Sequence, residues 1–333
     1  MTKTDKLNWG ILSTARIANL HVIPATQQSE TGRVLAIASR SSEKASEFSD
    51  RFGIERHYGS YEELLADPDV DAIYNPLPNS MHLEWSIRAA EAGKHILCEK
   101  PLGVDVAECR QMIAAARKHG VLLIEAFWYR HHPQHQPVRD AIAEGRLGKI
   151  RQIRGYLHVD IANLSSNIRM SKELAGGTLM DGGCYPVNLC RWLYQAEPRV
   201  VTAIMDVDPN HGVEVSFNGI LDFGDGQVGL VSSGFKYARK VSYQVFGERG
   251  YALVEKFLNS DHDEATARLV IDGRPCEYHF PPINAYTLQA DAFAACLRNG
   301  TESLTPAEDA IGNMATIQAL YRSSREGRHV SLT

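Results

Sequence analysis

Nothing in this chain has the spacing of a metal site. Its six cysteines (Cys98, Cys109, Cys184, Cys190, Cys276, Cys296) are scattered over 333 residues, with no C-x-x-C pair and no Cys/His ligand pattern. In a chain of this length they read as reduced, mostly buried thiols, so we expect no metal and a cytoplasmic location. Basic runs are missing too, and a formal net charge of -5 gives no electrostatic case for nucleic acid or a membrane surface as partner. No apolar run approaches the ~20 residues of a membrane span. The opening Met1-Thr2-Lys3-Thr4-Asp5-Lys6 is read as a lead into the first strand, without the apolar stretch of an export signal. What is left is a globular protein, 44% hydrophobic and 23% charged, with length for about two domains.

The first third alternates strand and helix patterns. Strands are predicted at 7–12, 34–38, 72–74, 95–98 and 121–125. Helices are predicted at 17–28 (kinked or crowded by Pro24), at 42–52 capped by Ser42, after the capping box Ser60-Tyr61-Glu62-Glu63, at 83–92, and at 106–119 opened by Asp105. Strands separated by helices of this length indicate βαβ units and a doubly wound parallel sheet. The rhythm changes near Phe127. One helix at 133–144 is followed by strands rich in Val, Ile, Tyr and Phe, and Asp225-Gly226 and Asp272-Gly273 mark hairpins. The fold class is therefore α/β: a Rossmann-type domain over 1–126 and an α+β domain over 127–305 with a large, mainly antiparallel open sheet. A last helix, 306–326, opens on the capping box Thr305-Pro306-Ala307-Glu308.

A dinucleotide fingerprint uses small residues for a tight turn, for backbone approach to pyrophosphate and for helix–strand packing. In Gly10-Ile11-Leu12-Ser13-Thr14-Ala15-Arg16-Ile17-Ala18 those places hold Ser13, Ala15 and Ala18 rather than three glycines. The context, strand before and helix after, favours a phosphate site at the helix start, although the stretch alone also fits an ordinary turn. The second strand runs into Ser39-Arg40-Ser41-Ser42 with no acidic residue before Glu43. A permanent forked donor with flanking hydroxyls, and Lys44 nearby, suits a 2′-phosphate, so NADP(H) is favoured over NAD(H). The alternative is a solvated helix start. Pro78-Asn79-Ser80-Met81-His82 follows the fourth strand, where the nicotinamide half would lie. Asn79 is a candidate donor to the ribose, and His82 a candidate wall. A turn with a helix cap explains the stretch equally well.

Glu99-Lys100-Pro101 ends a short apolar strand with a charged pair that packing does not call for. Ligands of open α/β sheets collect at such strand ends. Lys100, partly desolvated, is a candidate base, or it lowers the pKa of a neighbouring tyrosine. That tyrosine is sought in Gly176-Gly177-Thr178-Leu179-Met180-Asp181-Gly182-Gly183-Cys184-Tyr185-Pro186. The glycines suggest close approach to a ligand, and in a helix Asp181 and Tyr185 share one face. A plain N-cap for Asp181 and a packing role for Tyr185 are the alternatives.

These motifs, in this order, resemble the Gfo/Idh/MocA family over essentially the whole chain. The resemblance implies a Rossmann domain, a second domain whose open sheet mediates homodimers or homotetramers, and a final helix packed back on the first domain. It implies cofactor contacts from Ser13, Thr14, Ala15, Arg16, Ile17, Ser39, Arg40, Ser41, Lys44, Pro78, Asn79, His82, Glu99 and Lys100. Lys100 matches the catalytic lysine and Asp181 the substrate-orienting carboxylate. Tyr185 stands where many members carry histidine as acid/base. That feature resembles the branch with glucose–fructose oxidoreductase, dimeric dihydrodiol dehydrogenase and NADP-dependent xylose dehydrogenase. Arg169 matches a substrate-contacting arginine, and Arg130 is expected to line the cleft. The activity implied is an NADP-dependent dehydrogenase acting on CH–OH groups, with a sugar or polyol oxidised at C1 of an aldopyranose. Dihydrodiol oxidation and nucleotide-ketosugar reduction need the same residues, and a non-catalytic NADP(H) sensor is the reading from another class.

Overall fold

The structure is a computed structural model that describes residues 6–258 and 263–332. The opening residues 1–5, read above as a lead into the first strand, lie outside these. The first elements are β1 (Leu7–Leu12), α1 (Ile23–Gln28), β2 (Gly32–Ala38), α2 (Ser42–Phe52), β3 (Arg56–Tyr58), α3 (Tyr61–Leu65) and β4 (Ala72–Asn75). They are followed by α4 (His82–Glu91), β5 (His95–Cys98), α5 (Val106–His119), β6 (Leu123–Glu125), α6 (Gln136–Ala143), β7 (Ile150–Asp160) and α7 (Cys184–Tyr194). Then come β8 (Val200–Val207), β9 (Glu214–Gly224), β10 (Gln227–Gly234), β11 (Lys236–Gly247) and β12 (Gly250–Val254). The last are β13 (Ala265–Ile271), β14 (Arg274–Phe280), α8 (Ala285–Asn299), α9 (Asp309–Glu326) and β15 (Val330–Ser331). The chain divides into two compact units, one running from its start to His131 with Asn284–Ile311, the other His132–Ile283 with Gly312–Thr333.

The first unit holds a six-stranded sheet in the order β3-β2-β1-β4-β5-β6, with every pairing parallel. The order reverses between β1 and β4, which places the ligand crevice of such a sheet at their carboxyl ends. Strands such as β2 and β4 are buried on both faces, as a sheet covered by helices requires. Helix ends follow local chemistry. The N-cap of α2 is Ser41, one residue before the predicted Ser42, and its hydroxyl accepts from Lys44 N. Asp105 caps α5, and Gly120, at φ 66°, stops it. The crowding expected of Pro24 is taken up by a π turn, Ala18–Val22, so the proline falls in the first turn of α1 where its missing N–H costs nothing.

The helix that closes this unit is α8. Phe293 packs on Trp9 with ring centroids 4.8 Å apart, Tyr286 stacks between His21 and Trp128, and Asp291 accepts from Ser29 at 2.6 Å. The expectation that the last helix does this is corrected by α9, most of which belongs to the second unit: Ser323 accepts from Ala203 N at 3.1 Å, and Leu320 lies against Gly219. Nor does that helix open at Pro306. Pro306 bridges to Ile124 as extended chain and the helix begins at Asp309.

The second unit holds a nine-stranded sheet in the order β14-β13-β12-β11-β7-β10-β9-β8-β15, antiparallel except where β7 meets β10. Asp225-Gly226 and Asp272-Gly273 take positive φ at both positions, as tight hairpins demand. Alternate residues of β9 (Val215, Phe217, Leu221, Phe223) are buried, while on the opposite face Ile220 and, in β8, Ile204 are 49% and 76% exposed.

Candidate active site

In the first unit the β1 turn is built as a dinucleotide site needs. Ser13 adopts φ 80°, the left-handed conformation that the missing fingerprint glycine would supply, at a cost of ~1–2 kcal/mol. Its amide donates to Ala38 O at 2.8 Å, tying the turn to the end of β2. Thr14 and Ala15 are half-buried, Arg16 is exposed, and Ile17 leads into the π turn. Past β2, Ser39 is buried and Arg40 and Lys44 are exposed, so two cationic side chains flank this strand end. The hydroxyl of Ser41 donates to Glu43 at 2.7 Å. The guanidinium of Arg40 lies against the hydroxyl of Tyr61, where its charge opposes the rise that burial gives the phenol pKa. Tyr61 is in turn held edge-on by Trp85, with centroids 4.8 Å apart. These features fit a 2′-phosphorylated dinucleotide better than one with a bare ribose, which wants a carboxylate at the strand end.

The loops after β4, β5 and β6 are fastened to one another by buried polar groups. Asn75 donates to Ser86 at 3.1 Å and accepts from Leu77 N. Glu99 accepts from the hydroxyl of Tyr74 at 2.7 Å and from the backbone of Lys100, and Glu125 accepts from Leu102 N at 2.8 Å. Lys100 is half-buried between these anchors. Pro78 and Asn79 are half-buried at the start of a 3-10 turn, Asn79–Met81. His82 is not a wall for ligand. It is wholly buried, with Nδ1 3.0 Å from Pro101 O and Nε2 2.8 Å from Leu77 O, and burial holds its pKa down to about 4. It is a strut between the proline loop and the Lys100 loop. Arg130 is corrected likewise: its guanidinium is buried, donating to Leu304 O at 2.9 Å and to Asp309 at 2.8 Å. A buried cation needs its partners, and these are internal.

In the second unit, Leu179–Gly183 form a π turn that runs into α7, with Cys184 N–H reaching back to Leu179 O. Asp181 lies inside this turn and not at a cap, and Tyr185 follows on the first turn of α7, 6% exposed. Arg169 donates from Nε to Asp181 at 2.6 Å and from a terminal nitrogen to Asn167 at 3.3 Å. The glycine pair serves packing, not ligand approach. A Cβ on Gly176 would lie 2.3 Å from Arg169 O, and one on Gly177, at φ 105°, 2.3 Å from the Glu214 carboxylate. The pair thus lets the Arg169 segment and the Glu214 carboxylate lie directly on the backbone that leads to Asp181. Glu214 and Tyr321, like Tyr74, Tyr61 and Glu125, carry no local mark in the sequence, since each meets its partner through distant chain. Among the described residues there is no group of three metal-ligating side chains, and no helix is long and apolar enough to cross a membrane.

Two family models match the chain: one described as oxidoreductase family, NAD-binding Rossmann fold, over residues 7–127, the other as the GFO/IDH/MocA C-terminal domain, over residues 135–253. The D-xylose 1-dehydrogenase (NADP(+)) 2 of Haloferax volcanii is 36% identical over 326 residues, covering 97% of this chain and 99% of that protein. The crystal structure of an aldose–aldose oxidoreductase from Caulobacter crescentus, complexed with glycerol, superposes with a TM-score of 0.91 at 30% identity, over 98% of this chain and 100% of that one. That of a 3-ketoreductase from Actinomadura kijaniata, with NADP and TDP-benzene, gives 0.89 at 30% identity, over 96% and 98%.

Proposed function

The chain belongs to the Gfo/Idh/MocA oxidoreductase family, and we propose that within it this protein oxidises an aldopyranose, xylose- or glucose-like, at C1 to the lactone with NADP⁺. The observation that carries the reading is the π turn that bears Asp181, clamped by Arg169 at 2.6 Å, with Tyr185 one turn further on a buried helix start. The similarity to an NADP-dependent xylose dehydrogenase over nearly the full length supports it.

The nicotinamide, when bound, supplies the hydride acceptor; Ser13 to Ile17 would hold the pyrophosphate, Ser39, Arg40, Ser41 and Lys44 the 2′-phosphate, and Pro78, Asn79, Glu99 and Lys100 the nicotinamide half. The protein's share is to remove a hydroxyl proton. A phenol with an ordinary pKa near 10 is a poor base at neutral pH. Tyr185 takes the proton, and the positive charge of Lys100 favours the phenolate that does so. Asp181, oriented by Arg169, accepts from a sugar hydroxyl and fixes which carbon faces the hydride acceptor.

The test is turnover by Lys100→Ala and Tyr185→Phe on the best substrate in a panel of aldoses, inositols, diols and ketosugars with NADP⁺ or NADPH. A fall of ~100-fold or more in kcat is expected from either. Wild-type turnover in both variants would sink the assignment. The likeness to a 3-ketoreductase favours one second reading, reduction of a keto group on a nucleotide-linked sugar; selective NADPH oxidation with such a ketosugar would replace the first. We further propose that the exposed sheet face around Ile204 and Ile220 pairs with a second copy, giving a homodimer or homotetramer.

A further inference from the structure

Glu214 is a carboxylate where the core has no evident need of one. It stands at the start of β9, 4% exposed, and one of its oxygens accepts both from Leu179 N–H at 2.8 Å and from the hydroxyl of Tyr321 at 2.8 Å. Both oxygens lie in the space that a side chain at residue 177 would take, 2.3 and 2.5 Å from an ideal Cβ there, which only glycine leaves open. The first N–H groups of a helix have no partner within it, and a buried donor left unpaired costs ~1–3 kcal/mol. Glu214 satisfies one of them from the sheet, two residues before Asp181, while Thr178 is tied to Ser233 of β10 at 3.1 Å. Gly177 O accepts from Asp181 N at 3.1 Å, so the peptide beside Glu214 also sets the backbone of Asp181.

We propose that Glu214 is a positioning residue: from β9, braced by Tyr321 of α9, it sets the height and rotation of the π turn that carries Asp181 and leads to Tyr185. The proposal rests on the assignment of those two residues above. Its mechanism is reach, not charge. A Gln at 214 keeps an oxygen at the same distance and still accepts from Leu179 and Tyr321. An Asp keeps the charge but ends one methylene short of both.

Two measurements test this on the full-length enzyme. In hydrogen–deuterium exchange, Glu214→Asp should speed exchange at amides 178–185 by ~10-fold or more, the loss of one buried bond, with the peptides of β1 to β6 unchanged. Glu214→Gln should stay within about threefold of wild type. In kinetics, Glu214→Asp should lower kcat by ~10–100-fold while the NADPH dissociation constant, read by fluorescence, is unmoved, and Glu214→Gln should restore most of kcat. Wild-type exchange in Glu214→Asp, or equal losses in the Asp and Gln variants, would overturn the proposal. If Glu214→Asp does not fold, Tyr321→Phe, which removes the brace alone, must speed exchange at the same amides; no change there overturns it equally. Full activity in Tyr185→Phe would remove the catalytic premise, yet the exchange result would still decide whether Glu214 sets the turn.

Discussion

Mild acid should unfold this protein through its buried histidines. His82 and His135 are wholly enclosed, and burial holds their pKa values to about 4 and about 3, against 6.5 for the free ring. Both folded values lie below the unfolded one, so the unfolded chain takes up protons first as the pH falls. The contribution is therefore present above 6.5 and is lost progressively down to about 4 for His82 and about 3 for His135. Between pH 7 and pH 5 each ring forfeits about 2 kcal/mol, roughly 4 kcal/mol for the pair, a large part of the ~5–15 kcal/mol that holds a domain folded. His131 and His132, both held to about 4 by burial, act in the same sense. Glu214 acts in the opposite sense, because burial raises its pKa and protonation relieves a cost. His82 has the sharper geometry of the pair. A neutral ring donates only once, so one of its two facing carbonyls meets a bare nitrogen, and desolvation must outweigh that carbonyl's attraction for a proton. The assay is the urea midpoint followed by tryptophan fluorescence at pH 7, 6 and 5, for the wild type and for His82→Asn. The slope against pH, rather than the absolute stability, carries the information, and the variant should lose a substantial share of it. A flat wild-type midpoint over this range, or an unchanged slope in His82→Asn, would refute the reasoning.

Arg40→Ala should reduce kcat/KM for NADP⁺ by ~10–30-fold and leave NAD⁺ almost unaffected. The guanidinium is exposed, so the contact counts at the low end of charge-assisted bonds, about 1.5–2 kcal/mol. Tyr61→Phe, which removes the hydroxyl against Arg40, should move the same NADP⁺/NAD⁺ ratio by about threefold; an unchanged ratio in both variants would show that cofactor choice lies elsewhere. Arg130→Ala removes a buried guanidinium from Asp309 and Leu304 O and should cost about 3 kcal/mol by urea denaturation. A cost below ~1 kcal/mol would mean that the pair is solvated and that Arg130 is free for another role.

Features coded by neighbouring residues were legible in the sequence. The Asp-Gly hairpins, the Asp105 cap and the βαβ rhythm depend on a few adjacent positions, and the structure has them. β3 was missed because three residues carry no period. α8 was missed although Ala285, Tyr286, Gln289, Ala290, Phe293 and Ala294 make one buried stripe, because its polar residues dilute the pattern. Thr305-Pro306 misled in the other direction: the pair has the chemistry of a helix start, but bridging to Ile124 kept it extended. At the candidate site, Asp181 could be named from its neighbourhood, and Arg169 only through the family resemblance. What Arg130 and His82 bind could not be, since their partners lie 179 and 19 positions away.

The closing of the first unit by α8 has a consequence for synthesis on the ribosome. Trp9, His21 and Trp128 meet the rings of Phe293 and Tyr286, and Ser29 meets Asp291, only when residues 286–293 have emerged, after β7 to β14 have been made. A nascent chain that has finished β6 therefore has six parallel strands and no completed core. It must wait through more than 150 further residues with that apolar surface uncovered, the interval in which a chain needs a chaperone most. A gene fragment cut at the end of β6 would make that wait permanent, and the two-domain outline of the protein is for this reason a poor guide to where it can be divided.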